Sequence, residues 1–258
     1  MAAYYASNLT DFRATTSNEI VGVLAAANVQ KLLTQQTRAW QVQIEYLQDQ
    51  IPPELDGNIF FEFVIPRMGK RADCIILTEQ CVLVIEFKVN ATTFDSAAMD
   101  QVHDYALDLK NFHAGSHNVP IIPILVATSA SKSALMEAKF AEDMVAQPLQ
   151  IGENNFRAFI VNVLEQSHSA FGAALIDTVN WANSGYLPTP TIIEAATALY
   201  QSHNVVDIAR SDSGAKNLAQ TSDEIACLVE DAKANQKKVI CFVTGVPGAG
   251  KTLAGLNI

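Results

Sequence analysis

Positive charge is what this chain has least of: 17 Lys and Arg stand against 27 Asp and Glu, for a net charge of −10. Proteins that grip nucleic acid unaided are usually basic, because neutralising phosphates supplies most of their affinity. The acidity therefore argues against a strong nonspecific nucleic-acid binder and leaves room for weak, salt-sensitive binding with extra grip from elsewhere. Cysteine is scarce too. Cys74, Cys81, Cys227 and Cys241 make no Cys-x-x-Cys pair, and three of them sit in apolar runs. That predicts reduced, buried thiols in a cytosolic protein. The first ten residues lack a basic stretch followed by an apolar one, so no secretory signal is expected. The longest helical apolar stretch, residues 20–29, is about half the roughly 20 residues a membrane span needs. A soluble, cytoplasmic chain with no membrane partner follows as the expectation. There is no internal repeat and no low-complexity segment.

Apolar side chains are plentiful. Hydrophobic residues make up 49% and charged residues 17% of the 258, enough to bury a substantial core. The length suits one large domain, or an ordinary one plus a piece of another. Residues 18–50 read as helical, capped by Ser17 or Asn18, with Trp40, Ile44, Leu47 and Ile51 on one stripe. Pro52 and Pro53 end that stretch. Three β-rich runs follow, at 59–65, 72–78 and 82–89, separated by breaks that predict a β-meander. A helix over 95–112 buries Ala98, Val102, Tyr105, Leu109 and Phe112, and residues 121–127 read as a buried strand. The order helix, three strands, helix, strand predicts an α/β fold, a mixed central sheet flanked by helices. Helical additions are expected near 132–144 and 190–202, and a strand near 156–163. Residues 203–216 look like a connector, 221–235 like a helix and 239–244 like a strand. The expected division is 1–202 for the α/β domain, 203–236 for a linker and helix, and 237–258 for the start of another domain.

The physical oddity lies in Val82-Leu83-Val84-Ile85-Glu86-Phe87-Lys88-Val89, where two ionisable residues interrupt an apolar strand. Burying them is costly unless they are paired or bind a metal. Strand side chains alternate, so Glu86 and Lys88 point one way and Phe87 the other. Hydrolysing a phosphodiester needs a hard cation, and magnesium takes one or two carboxylates with the rest water and substrate oxygens. Asp73 and Glu86, on neighbouring strands, would supply the carboxylates, with the Phe87 carbonyl a further ligand. Lys88 would orient the attacking water and offset negative charge. Arg67, Lys70 and Arg71, three cations just ahead of Asp73, form a basic edge for a nucleic-acid backbone. The bland alternative is a half-solvated Glu–Lys pair at a strand end with Asp73 an ordinary turn acid.

In this order of elements, Asp73 with Glu86-Phe87-Lys88 resembles the PD-(D/E)xK nuclease superfamily, over about residues 37–130. Ala72 stands where the family name puts Pro. Gln101 with Tyr105 one turn later matches the Gln-x-x-x-Tyr found on the following helix in many members. The resemblance implies a restriction-endonuclease-like αβββαβ core and hydrolysis dependent on Mg2+ or Mn2+. It also implies that Gln101 supports the site and that a Glu on the first helix joins it. Glu45 is the candidate for that Glu, with Glu62 on the first strand competing.

A second motif, Gly245-Val246-Pro247-Gly248-Ala249-Gly250-Lys251-Thr252, fits the phosphate-binding P-loop and follows an apolar run. Gly245, Gly248 and Gly250 would let backbone N–H groups wrap phosphates, Lys251 would reach the β/γ oxygens and Thr252 would bind magnesium. By chance such a pattern arises in on the order of one chain in a hundred of this length. Six residues follow it, too few for the acid and the supporting strands that ATP hydrolysis requires. No ATPase activity is expected from this stretch alone; ATP belongs to the complete domain. With Ala215-Lys216-Asn217-Leu218, the stretch resembles the entry to Schlafen-like and related DNA/RNA helicase ATPases. That resemblance implies cleavage coupled to translocation, in defence against foreign DNA such as that of phage. Nucleic acid, DNA ahead of RNA, is the partner both resemblances imply; oligomeric state is left open.

Three weaker features carry no assigned chemistry. His113 and His117 read as solvated loop histidines, and His103 as a surface residue. Ser129, Ser131 and Ser133 lack a nucleophile elbow. Asp100, Asp104 and Asp108 read as a solvated helix face. The competing reading of the whole chain is a catalytically silent nucleic-acid-binding or regulatory module attached to a helicase motor.

Overall fold

Phe-, Val- and Ile-rich runs build the centre of the computed structural model, which describes residues 3–28, 34–65, 69–131, 137–172, 176–186, 212–245 and 251–256. The three expected runs are strands β2 (Asn58–Ile65), β3 (Lys70–Leu77) and β4 (Val82–Lys88), joined antiparallel. The Thr78 hydroxyl accepts the N–H groups of Gln80 and Cys81 and closes the β3–β4 turn. Helix α4 (Ser96–Phe112) then carries the chain to β5 (Ile121–Ala127), which runs parallel to β4. A parallel neighbour needs such a crossover. Short strands β1 (Tyr5–Asn8) and β6 (Leu149–Ile151) complete a six-stranded mixed sheet in the order β1-β2-β3-β4-β5-β6.

Each face of the sheet has its own core. Helices α1 (Leu9–Ala14), α2 (Ser17–Ala27), α3 (Thr34–Gln50) and α5 (Phe156–Phe171) bury Phe12, Ile20, Trp40, Ile44 and Phe156 against Phe61, Ile76, Ile85 and Ile124. On the opposite face, α4 buries Val102, Tyr105 and Leu109 with Ile75, Val84 and Trp181, the last from α6 (Thr178–Trp181). Strand β4 is therefore covered on both faces and paired on both edges, which explains its unbroken apolar start.

Several expectations are corrected. The stretch 18–50 is two helices, α2 and α3. The cap is Thr16, not Ser17 or Asn18; its side chain and that of Glu19 form a reciprocal capping box. Residues 156–163 are the start of α5, not a strand. Their Phe and Val content mimics a strand, but Phe156, Phe159, Ile160 and Val163 recur at helical spacing on the buried face. Of the segment 132–144, residues 137–144 are not helical, while 132–136 and the helix expected at 190–202 lie outside the described residues.

By its internal contacts the chain divides into two units, Met1–Lys110 with Asn118–Ser184, and Asn111–His117 with Gly185–Ile258. The first carries the whole sheet. In the second, helix α7 (Asp212–Ala234) starts earlier than the 221 expected, inside the proposed connector. Residues 239–244 form no strand: Ile240 and Phe242 are 81% and 83% exposed, and no described segment pairs with them. A single extended run has no ladder to join and keeps its apolar side chains in water. Helix α8 (Lys251–Leu256) follows. Cys74 and Cys81 are buried, but Cys227 and Cys241 are exposed, and all four are free. Among the described residues no helix is long and apolar enough to cross a membrane.

Candidate active site at a fork in the sheet

Strands β3 and β4 pair only from Leu77↔Val82 to Cys74↔Ile85. Beyond that point β3 continues with β2 as far as Ile65↔Lys70, and β4 continues with β5 as far as Lys88↔Ala127. The sheet forks there. Asp73 is the first β3 residue past the fork, and Glu86 the first on β4. Asp73 still bridges the gap, its Oδ2 accepting the Phe87 N–H at 2.8 Å.

A second irregularity lies across β3. Phe61↔Cys74 and Phe63↔Ala72 are paired, but the Glu62–Asp73 position between them is not. Glu62 has φ +52°, a left-handed conformation uncommon for a residue with a side chain. The twist shifts the alternation of β2, so Phe60 and Phe63, three apart, share one face with ring centroids 5.9 Å apart. Strained positions of this kind cluster at functional sites.

The expected trio converges at the fork. Lys88 Nζ donates to Glu86 Oε1 at 3.1 Å, and the lysine side chain is 35% exposed. Gln101 Nε2, on α4, donates to the same Oε1 at 3.0 Å and to the Tyr105 hydroxyl at 2.8 Å. Glu86 Oε2 is buried and has no hydrogen-bond partner among the described residues. Asp73 Oδ1 likewise takes no hydrogen bond from a described residue. Burial, then the Glu86 charge, hold the Asp73 carboxyl well above the usual carboxylate range. Burial also raises Glu86, and the Lys88 ammonium opposes the rise. Burial and the Glu86 charge push the Tyr105 phenol up to about 12, so it stays protonated. Phe87 turns its ring into the core, edge-on to Tyr46 at 5.9 Å.

This donor set fits a hard divalent cation. Two carboxylates with raised proton affinity and an orphaned buried oxygen are short of positive charge, and two acids are what magnesium asks of a protein. Among the described residues, no group of three or more His, Cys, Asp or Glu side chains is placed to hold a metal.

Other candidates fall elsewhere. Glu45 is exposed on α3, its carboxylate accepting from Ser17 and Gln41, and it does not reach the fork. The competing Glu62 does: it is buried, its Oε1 accepts from Trp40 Nε1 at 2.8 Å and its Oε2 from Arg71 Nε. Lys70 is exposed and Arg71 half-buried at the mouth of the fork, while Arg67 lies outside the described residues. The Trp40–Glu62–Arg71 chain had one sequence signal, the lone acid in Phe60-Phe61-Glu62-Phe63.

His113 is buried and its Nδ1 shares a hydrogen bond with Ser116 Oγ at 2.8 Å, so it is not a solvated histidine. Asp100 and Asp104 are exposed but Asp108 is fully buried. Four residues overshoot a helical turn by about 40°, so the row of acids winds from the outer face into the packed one. In the P-loop stretch, Lys251 Nζ donates to the Gly245 carbonyl at 2.7 Å. Thr252 stands in the first turn of α8, and Gly248 and Gly250 lie outside the described residues. Comparison of the chain with protein-family models, curated proteins and solved structures finds no match.

Proposed function

We propose that this chain hydrolyses phosphodiester bonds of nucleic acid, DNA in the first instance, at the fork between β3 and β4. The observation that carries the reading is Glu86: a buried carboxylate with one oxygen held by Lys88 and Gln101 and the other without a hydrogen-bond partner among the described residues. The αβββαβ order α3-β2-β3-β4-α4-β5 supports it, as the restriction-endonuclease-like core of a PD-(D/E)xK nuclease would have that order.

Asp73 Oδ1 and Glu86 Oε2 would hold Mg2+ or Mn2+, with the Phe87 carbonyl as a further ligand. When bound, the cation supplies charge neutralisation at the phosphate and acidification of the attacking water. The chain's own groups do the positioning. The Phe87 N–H fixes Asp73 Oδ2 and leaves Oδ1 available. Gln101, itself held by Tyr105, fixes Glu86 Oε1 and leaves Oε2 available. Lys88 Nζ orients water and offsets negative charge developing on the phosphate. The P-loop stretch belongs, on this reading, to an ATP-binding helicase domain.

Plasmid and single-stranded DNA cleavage, with manganese or with EDTA, tests the proposal on wild type, Asp73→Ala and Lys88→Ala. Metal-dependent cleavage by wild type and its loss in both variants, with circular dichroism unchanged, is the expected result. Equal weak cleavage by all three would mark a contaminant and end the proposal. The rival, a silent nucleic-acid-binding or regulatory module, draws on the absence of a third ligating side chain among the described residues. It predicts DNA binding with no metal-dependent turnover.

A further inference from the structure

Arg71 is fixed more firmly than a solvated basic residue requires. Its Nε donates to Glu62 Oε2, and its Cζ lies 4.8 Å from the centroid of the Tyr4 ring. Glu62 is held in turn, because its other oxygen accepts from the indole of the buried Trp40 at 2.8 Å. The guanidinium plane is therefore set from the core outward, through Trp40, Glu62 and Arg71. A surface Arg–Glu pair contributes little to stability. Yet here the acid is buried in the sheet, at a position with a left-handed backbone.

What remains on Arg71 is a chemical vacancy. A guanidinium has five N–H donors, and only the Nε–H has a partner among the described residues. The side chain is 28% exposed, so the two terminal amino groups can reach a ligand. Arg71 lies two residues before Asp73 on β3 and feels its charge. A fixed guanidinium with open amino groups matches two oxygens of a phosphodiester, a fit that the point charge of lysine cannot reproduce.

We propose that Arg71, held by Glu62 and Tyr4, is a phosphate clamp that takes a backbone phosphodiester of the nucleic acid beside the fork. The proposal rests on the hydrolytic reading of Asp73 and Glu86. Glu62 is then a positioning residue, each of its oxygens already accepting one hydrogen bond. Its charge offsets that of Arg71 at a distance, so the clamp gives orientation rather than long-range attraction. That division suits a chain of net charge −10.

The test has a binding arm and a cleavage arm, both on the full chain. Binding of a fluorescent single-stranded DNA is followed by anisotropy across a salt series, in EDTA and in an Asp73→Asn background. Arg71→Lys keeps the charge and removes the planar fork; it weakens binding about tenfold. Arg71→Ala also flattens the log–log salt slope by about 0.7, one phosphate's share on a single strand. Glu62→Gln weakens binding in the same direction and adds nothing on top of Arg71→Lys. In the cleavage arm Arg71→Lys raises KM, with kcat within about twofold.

Arg71→Lys binding like wild type overturns the clamp, as do independent, multiplying effects of Glu62→Gln and Arg71→Lys. Glu62→Gln can fail to fold; the half-exposed Arg71→Lys then carries the test alone. Cleavage that depends on Asp73 while KM ignores Arg71 sinks the clamp and leaves the hydrolytic reading. Arg71-dependent binding by a wild type that never cleaves sinks the hydrolytic reading and leaves the clamp.

Discussion

Two influences push the Asp73 carboxyl the same way. It is desolvated and close to the Glu86 charge, which raises its proton affinity above that of the same residue in the unfolded chain. Between the ordinary carboxylate pKa of about 4 and the raised folded value, the folded state binds more protons than the unfolded one. Stability contributed by the protonated form is thus complete at low pH and is lost as pH rises through the folded value. Asp73→Asn keeps an oxygen for the Phe87 N–H and never ionises. In EDTA at pH 7 it is expected to be more stable than wild type by on the order of 1 kcal/mol, a Tm rise of about 2–4 °C. The difference should vanish at pH 4. The variant should also lose any Tm increase that manganese gives the wild type. A Tm equal to wild type at pH 7, with manganese stabilising both, would show that Asp73 bears neither strain nor metal.

At the scale of elements, local signals differ in how they survive packing. The Thr16–Glu19 capping box sets the start of α2 through two reciprocal hydrogen bonds. Thr16→Ala should cost about 1 kcal/mol, and Glu19→Gln much less, by thermal or urea unfolding. Equal, negligible effects would mean that α2 is held by Ile20 and Leu24 in the core alone. The β2–β4 meander, α4 and β5 were legible because each is a periodic run bounded by a break. Strand β6, at three residues, is too short to show a period, and the start of α5 mimics a strand because its aromatic content suits either element. The fork between β3 and β4 had no sequence signal at all: nothing in residues 70–77 or 82–88 says that pairing stops at Cys74 and Ile85. That end point depends on β2 and β5 each drawing a strand away.

For the whole molecule, the thiols give a direct check. Cys227 and Cys241 are exposed, Cys74 and Cys81 buried on separate strand and turn positions of the sheet. In the native chain the first two should react with a thiol reagent within minutes, and the second two only in denaturant; modification mapped by mass spectrometry would decide it. Rapid native labelling of Cys74 would contradict the closed core around β3. The sequence by itself determined the mixed α/β class and the central run of strands, and it singled out Asp73, Glu86, Lys88 and Gln101 as candidates. It could do so because periodicity and ionisable residues in apolar runs are local features. Only the tertiary structure decided that Glu45 stands apart while Glu62 joins the fork, that one Glu86 oxygen has no hydrogen-bond partner among the described residues, and that residues 239–244 pair with no described strand. Those outcomes depend on which helix face meets which strand edge, and distances between segments far apart in the chain are not encoded in any short stretch of it.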